Sequence, residues 1–490
     1  MKVKITISKL IEKYKNLSVI AKSSFWFIIT GFFQRGISVI TTPIFTRLLS
    51  TEEYGRYTVF NSWLEIITIF ATLRLGYGVF VKGLVKYSED KEKFSSSLLG
   101  LATTWCGIFF VIYLVFHNYF NNLLGLSTLM MLCMFVMMIS TVAFNFWAAQ
   151  KRNEFEYISL IKLTIFTSLL KPILGILAVI STETYKVEYR ILSIALVELF
   201  AYIWLYIRIM TKGKVFYHKE YWRYGLKINI PLVPHFLSQV ILNHSDRIMI
   251  KQLCGYSDAG IYSLAYSIAM ILTILNTSIQ NAIRPWVFQR LKANEHYKIE
   301  NVGTISLIII GVCNLFLIIF APELIKIFSP SSYGAATYLI PPIAMGVYFA
   351  FMYNLFVDIQ MYFEKTNSIM NVAIICALVN IITNYIFIKK FGFIAAAYTT
   401  LFSYILMAIL HYFAMKKILD KQEKKIQIYS IKKILLLSVV FLFIGTIMPF
   451  LYNWLVIRIA ITIFLLIISF SLKNKILSFF QTLKKEKVGK

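Results

Sequence analysis

A succession of apolar runs, each close to the roughly 20 residues a helix needs to cross about 30 Å of hydrocarbon, constrains this chain more than any other feature. They fall near 22–48, 55–81, 95–116, 124–150, 157–180, 190–210, 228–252, 259–284, 302–321, 335–357, 367–388, 393–415, 431–451 and 453–472. In hydrocarbon every backbone N–H and C=O must find its partner within the protein, so runs of this length predict helices. The expected fold class is all-α integral membrane with about 14 transmembrane helices. With 58% hydrophobic and only 15% charged residues, the chain is too apolar for a soluble domain.

The loops orient these spans. A net charge of +27 would suggest nucleic acid in a soluble protein, but here Lys and Arg cluster in alternate short loops, such as Lys82 to Lys93, Lys151–Arg152, Lys212 to Arg223 and Lys416 to Lys425. The segment HNYFNNLLGLS, on the other side, has none. This is the positive-inside pattern, with both termini cytoplasmic and no nucleic-acid partner. The basic, mildly amphipathic start Met1–Lys22 leads into an uncleaved first span. The five cysteines show neither CxxC spacing nor a Cys/His cluster, so no disulfide framework or metal site is expected.

The chain also repeats itself at an offset of 205: Gln34 on Gln239, Leu48 on Leu253, Glu53 on Asp258, Gly55 on Gly260, Tyr57 on Tyr262, Ser62 on Ser267, Thr68 on Thr273 and Thr72 on Thr277. The expected plan is two pseudo-symmetric six-helix lobes, 1–210 and 211–415, followed by an extra helix pair and basic tail at 416–490. Related halves within a membrane commonly carry a substrate site between them.

Polar residues inside the spans mark where that site would lie. An ionisable side chain near a span centre costs roughly 2.5–3.5 kcal/mol on insertion scales, so it should face protein or a wet cavity. On the first span Thr30, Gln34, Ser38 and Thr41/Thr42 form one stripe with Arg35 at its edge; on the seventh, His235, Gln239, Asn243 and Asp246/Arg247 form the matching one. Ser and Thr alone are commonly helix glue. Arg35 and Lys171 lie out of snorkelling reach, and each is expected either to hold an anionic ligand such as a phosphate or to form a structural pair with Glu65 or Glu198. Candidate substrate-binding residues are Arg35, Lys171, Arg247, Gln34, Gln239, Asn243 and the entrance cation Arg284. Asp246, Glu65 and Glu198 are candidates for coupling to H⁺ or Na⁺. Arg74 and Asp358, near span ends, are expected to reach water, and Arg458 has no equivalent in either repeat.

No Walker loop, H-E-x-x-H or G-x-S-x-G is present, and no loop is long enough for a catalytic domain, so the chain is read as a transporter without a cofactor rather than an enzyme. The stretches TTPIFTRLLSTEEYGRYTVFNSW (41–63), NHSDRIMIKQLCGYSDAGIYSLAYSI (243–268) and GFIAAAYTTLFSY (392–404) resemble bacterial polysaccharide repeat-unit flippases of the Wzx type, within the multidrug/oligosaccharidyl-lipid/polysaccharide exporter superfamily. The first is similar to that family's Leu-Leu-x-x-x-x-[Tyr/Phe]-Gly turn through Leu48, Leu49, Tyr54 and Gly55; in the third, Ala395 stands where the family usually has a second glycine.

The resemblance implies a two-lobed flippase in the bacterial cytoplasmic (inner) membrane. It would carry an undecaprenyl-diphosphate-linked oligosaccharide outward for surface polysaccharide such as O-antigen or capsule, driven by a proton or cation gradient, with a polysaccharide polymerase as a partner protein and the lipid tail left in the bilayer. Arg35, Lys171 and Arg247 would contact the anionic head and Asp246 would couple. The alternatives are a drug or metabolite cation antiporter of the same superfamily, a flippase for the peptidoglycan lipid precursor and, from another class, a membrane polysaccharide polymerase or ligase.

Overall fold

The structure is a computed structural model that describes residues 18–422, 428–471 and 478. Most of the basic start and tail, and part of the basic segment before the last helix pair, lie outside the described residues. Regular structure among the described residues is helical: α1 (Val19–Leu48), α2 (Thr51–Thr72), α3 (Val79–Lys86), α4 (Lys91–Val115), α5 (His117–Leu124), α6 (Thr128–Asn153), α7 (Tyr157–Ile180), α8 (Lys186–Gly213), α9 (Lys219–Asn229), α10 (Val233–Leu253), α11 (Tyr256–Ala269), α12 (Leu272–Lys292), α13 (His296–Ile319), α14 (Ala321–Phe328), α15 (Ile340–Tyr362), α16 (Thr366–Phe391), α17 (Ile394–Leu419), α18 (Ile431–Ile447) and α19 (Leu455–Ser471), with three short 3₁₀ segments.

Each of the fourteen apolar runs carries helix, but ten helices among the described residues are long and apolar enough to cross a membrane, or eleven with α11 and α12 counted as one span bent by 40°. The expected count of fourteen therefore exceeds what length and composition support. α2 and α10 have the length and fall short through their polar stripes, and α19 is apolar over too few residues, Leu455–Ile467.

The chain forms two compact units, the first Met1–Leu48 with Phe60–Leu237, the second Leu49–Val59 with Ser238–Lys490. In the first, Phe80 lies between Phe94, on which it stacks, and Phe146, which is tilted to it, at ring-centre distances of 5.9 and 4.2 Å. The connecting helix α9 joins this core because its apolar face supplies Tyr221, whose ring lies 4.9 Å from Tyr87 and 5.4 Å from Phe94, while Lys219, Glu220, Arg223 and Lys227 remain exposed. Trp222 Nε1 donates to the Ser97 carbonyl at 2.9 Å, and the buried Asn229 amide donates to the Leu73 carbonyl.

In the second unit α15 is the central element, buried on nearly every side from Ile340 to Gln360. The last helix pair is clamped onto it and its neighbours: Arg458 makes a two-pronged pair with Glu323, both N···O distances 2.8 Å, and donates to the Ile319 carbonyl at 2.9 Å, while Tyr452 donates to the Ile318 carbonyl at 3.0 Å. The arginine without a repeat equivalent is thus a structural anchor.

The start of α2 belongs to the second unit through a close helix crossing. A Cβ placed on Gly55 would lie 1.8 Å from the Tyr256 carbonyl oxygen, and one on Gly260 would lie 2.1 Å from the Thr51 carbonyl oxygen. Thr51 and Tyr256 are themselves related by the 205 offset, so equivalent turns of equivalent helices touch about a local two-fold. Hydroxyl pairs Thr51–Ser257 at 2.8 Å and Thr58–Ser263 at 2.9 Å flank the contact.

Candidate functional site

Within the first unit the polar stripe of α1 meets α7. Gln34 Nε2 donates to Ser168 Oγ at 3.3 Å, one turn from Lys171. Arg35 is exposed at mid-helix and, among the described residues, has no hydrogen bond or ion pair. Lys171, followed by Pro172, which cannot donate to the Ser168 carbonyl, takes the structural alternative: its Nζ lies 2.5 Å from Glu198 Oε1. Glu198 also accepts from Thr141 at 3.2 Å, and the Lys171 ammonium sits 5.9 Å from the Tyr202 ring centre. Glu65 is paired as well, with Arg74 at 2.8 Å.

Removing one member of the Lys171–Glu198 pair leaves the other uncompensated. Glu198→Ala is expected to lower the unfolding free energy by about 1–3 kcal/mol, less than for a fully buried pair because Lys171 retains solvent contact, with Lys171→Met/Glu198→Gln recovering most of it. Thermal unfolding of the purified protein in detergent checks both.

The second unit gathers its polar residues more tightly. Asp246, fully buried on α10, accepts from Asn384 Nδ2 at 2.6 Å, from Thr400 Oγ1 at 2.8 Å and from the Tyr262 hydroxyl. Asn384 in turn bonds Asn380 at 3.2 Å and accepts from Thr399, and Asn380 donates to Thr400 at 3.2 Å. Four helices, α10, α11, α16 and α17, thus converge on one carboxylate. A single buried carboxylate held by one amide N–H and two hydroxyls is a hard, singly charged group that suits a proton or a monovalent cation.

Arg247 points elsewhere, as adjacent helical positions must. Its guanidinium lies 4.3 Å from the Tyr266 ring centre and donates to the Asn243 carbonyl at 2.7 Å. Asn243 Oδ1 accepts from Tyr266 at 3.1 Å and Tyr404 at 3.4 Å, and the Gln239 carbonyl accepts from Asn243 Nδ2 at 2.7 Å. The structure therefore brings Gln239, Asn243, Asp246 and Arg247 onto successive turns of α10.

Farther along, Arg284 on α12 meets Asp358 on α15 at 2.6 Å. Asp358, expected to reach water, is instead 1% exposed. The sequence reading also missed Asn380, Asn384, Thr399 and Thr400. Asn380 and Asn384, one helical turn apart within an otherwise apolar run, were the available signal.

Comparison with known proteins agrees with this architecture. The family model for "Polysaccharide biosynthesis protein" matches residues 20–292, and the MatE model matches 231–386. The probable low-salt glycan biosynthesis flippase Agl15 of Haloferax volcanii is 22% identical over 403 residues, covering 80% of this chain and 82% of that protein. A membrane protein of Haemophilus influenzae is 21% identical over 72% of this chain and 86% of its own length.

Among solved structures, the lipid II flippase MurJ in an inward closed conformation has a TM-score of 0.70 at 17% identity, covering 91% of this chain and 99% of its own. An inward-facing multidrug resistance MATE transporter has a TM-score of 0.58 at 12% identity, covering 78% of this chain and 94% of its own. The fold is the one these transporters share. This chain belongs to the polysaccharide biosynthesis protein family, and it is a multi-pass membrane transporter of the multidrug/oligosaccharidyl-lipid/polysaccharide exporter superfamily.

Proposed function

We propose that the protein flips an undecaprenyl-diphosphate-linked oligosaccharide across the bacterial cytoplasmic membrane, its termini on the cytoplasmic side, by ion-coupled alternating access. Arg35 carries this reading: a permanent cation at the middle of a membrane span, exposed and without an ion pair among the described residues, is costly unless an anionic ligand uses it. Gln34 beside it, and Gln239, Asn243 and Arg247 on α10, offer further amide and guanidinium donors for phosphate and sugar oxygens. Lys171, paired with Glu198, acts by exchange: an arriving phosphate competes with that carboxylate for the ammonium, which frees Glu198 to take a proton. Asp246 binds the coupling ion, and Glu65, already held by Arg74, is the weaker coupling candidate. The polyprenyl chain stays in the bilayer, and the glycan passes to a polymerase partner.

The test is translocation of a labelled polyprenyl-diphosphate oligosaccharide in proteoliposomes under an imposed proton or Na⁺ gradient. The intact protein should transport and Arg35→Ala should lose at least about tenfold in rate with normal insertion, the loss of one charge-assisted contact. No transport by the intact protein, together with gradient-driven efflux of a cationic dye, would favour the drug-antiporter reading instead.

A further inference from the structure

The pairing of Arg284 with Asp358 differs in kind from the Arg458–Glu323 pair of the same unit. Arg458 commits both terminal nitrogens to Glu323, the two-pronged arrangement of a structural clamp. Arg284 gives Asp358 only its Nε, at 2.6 Å from Oδ1, while the other carboxylate oxygen accepts from the buried Gln280 amide. Among the described residues the two terminal nitrogens of Arg284 carry no hydrogen bond, and its side chain is 38% exposed. The carboxylate thus fixes the plane of the guanidinium from behind and leaves its two-nitrogen edge facing outward.

The face on which that edge opens carries polar groups. Thr277 and Asn281 are exposed on the same side of α12, and Pro285 cannot donate to the Asn281 carbonyl, which must then find water or another donor. Lipid-facing surface elsewhere in this unit is apolar, as with the exposed Ile375, Leu378, Ile382 and Ile386 of α16. An outward guanidinium edge with fixed orientation matches two oxygens of a phosphate, and a free lysine or a rotating arginine would match them less well.

We propose that Arg284 is a phosphate-binding station within the second unit, with Asp358 and Gln280 as its positioning residues, and that its ligand is the diphosphate of the lipid-linked substrate. The identity of that ligand rests on the function proposed above; the anion site itself does not.

Two measurements separate them. In the purified full-length protein, phenylglyoxal should modify Arg284, read by mass spectrometry, and inorganic pyrophosphate should protect it. Asp358→Asn should require about tenfold more pyrophosphate for the same protection, since the guanidinium loses its charged anchor. In proteoliposomes, Arg284→Lys should raise the KM for lipid-linked oligosaccharide about tenfold with the maximal rate little changed, as loss of a bidentate contact predicts. The charge-neutral double variant Arg284→Gln/Asp358→Asn should stay as impaired as Arg284→Gln. Recovery of a normal KM in the double variant would make the pair structural only and overturn the proposal, as would failure of pyrophosphate to protect Arg284 in the intact protein. Protection without any transport by the intact protein would uphold the anion site and overturn the flippase reading.

Discussion

Gly55→Ala is expected to destabilise the protein by at least about 3 kcal/mol, at the severe end of overpacking effects. The added methyl would sit 1.8 Å from the Tyr256 carbonyl oxygen, and a backbone atom held in a helix cannot swing aside as a side-chain tip could. The helices would have to separate, and the Thr51–Ser257 and Thr58–Ser263 hydroxyl pairs would part with them. Gly260→Ala should behave alike, because its Cβ would meet the Thr51 carbonyl oxygen at 2.1 Å. Gly36→Ala is the control: nothing lies within 4 Å of its Cβ, and the better helix propensity of alanine, up to about 1 kcal/mol, should leave stability unchanged or slightly raised. Thermal unfolding in detergent, with protease sensitivity of the region around Ser50, distinguishes the three. Near-normal stability of Gly55→Ala would mean that the crossing is looser than described.

Asp246→Asn is expected to reduce ion-driven transport by about 100-fold, with folding retained. The amide fills the same space, but its NH₂ must face at least one of the donors that the carboxylate now accepts from, Tyr262, Thr400 or Asn384. Losing the charge and one charge-assisted bond together amounts to about 3 kcal/mol, or about two decades in rate. Thr400→Val removes one donor and leaves the charge, so its effect should be nearer tenfold. Rates in proteoliposomes at graded Na⁺ and graded proton gradient provide the check. The intact protein should respond to one of the two and Asp246→Asn to neither. A variant that kept its full ion response would remove Asp246 from the coupling role.

The apolar runs located helix in all fourteen stretches because hydrocarbon leaves the backbone no other option. By length and composition alone only ten or eleven helices qualify as spans, because α2 and α10, which carry part of the 205-residue repeat, are also polar. The repeat itself was legible through Gly55 and Gly260, although their role as a close crossing was not: a glycine in a sequence does not announce which carbonyl will approach it. In the site, charge at mid-span singled out Arg35, Lys171 and Asp246, but partner choice depends on which helices become neighbours. Lys171 could be narrowed only to Glu65 or Glu198, and the answer, Glu198, lies on a helix that packs against its own. Asn384 and Thr400 reach Asp246 from 138 and 154 residues away, separations at which no periodicity argument operates.

The same separation sets a schedule for synthesis. Gly55 emerges from the ribosome 205 residues ahead of its counterpart Gly260. At about 5–20 residues per second that is a wait of roughly 10–40 s. During that interval most of the first unit can assemble around Phe80, Phe94 and Phe146, while residues 49–59, which group with the second unit, wait for its helices. A translation pause between Leu237 and Gly260 would prolong the life of that half-finished chain, and membrane chaperones or proteases would meet it with this segment unsheltered.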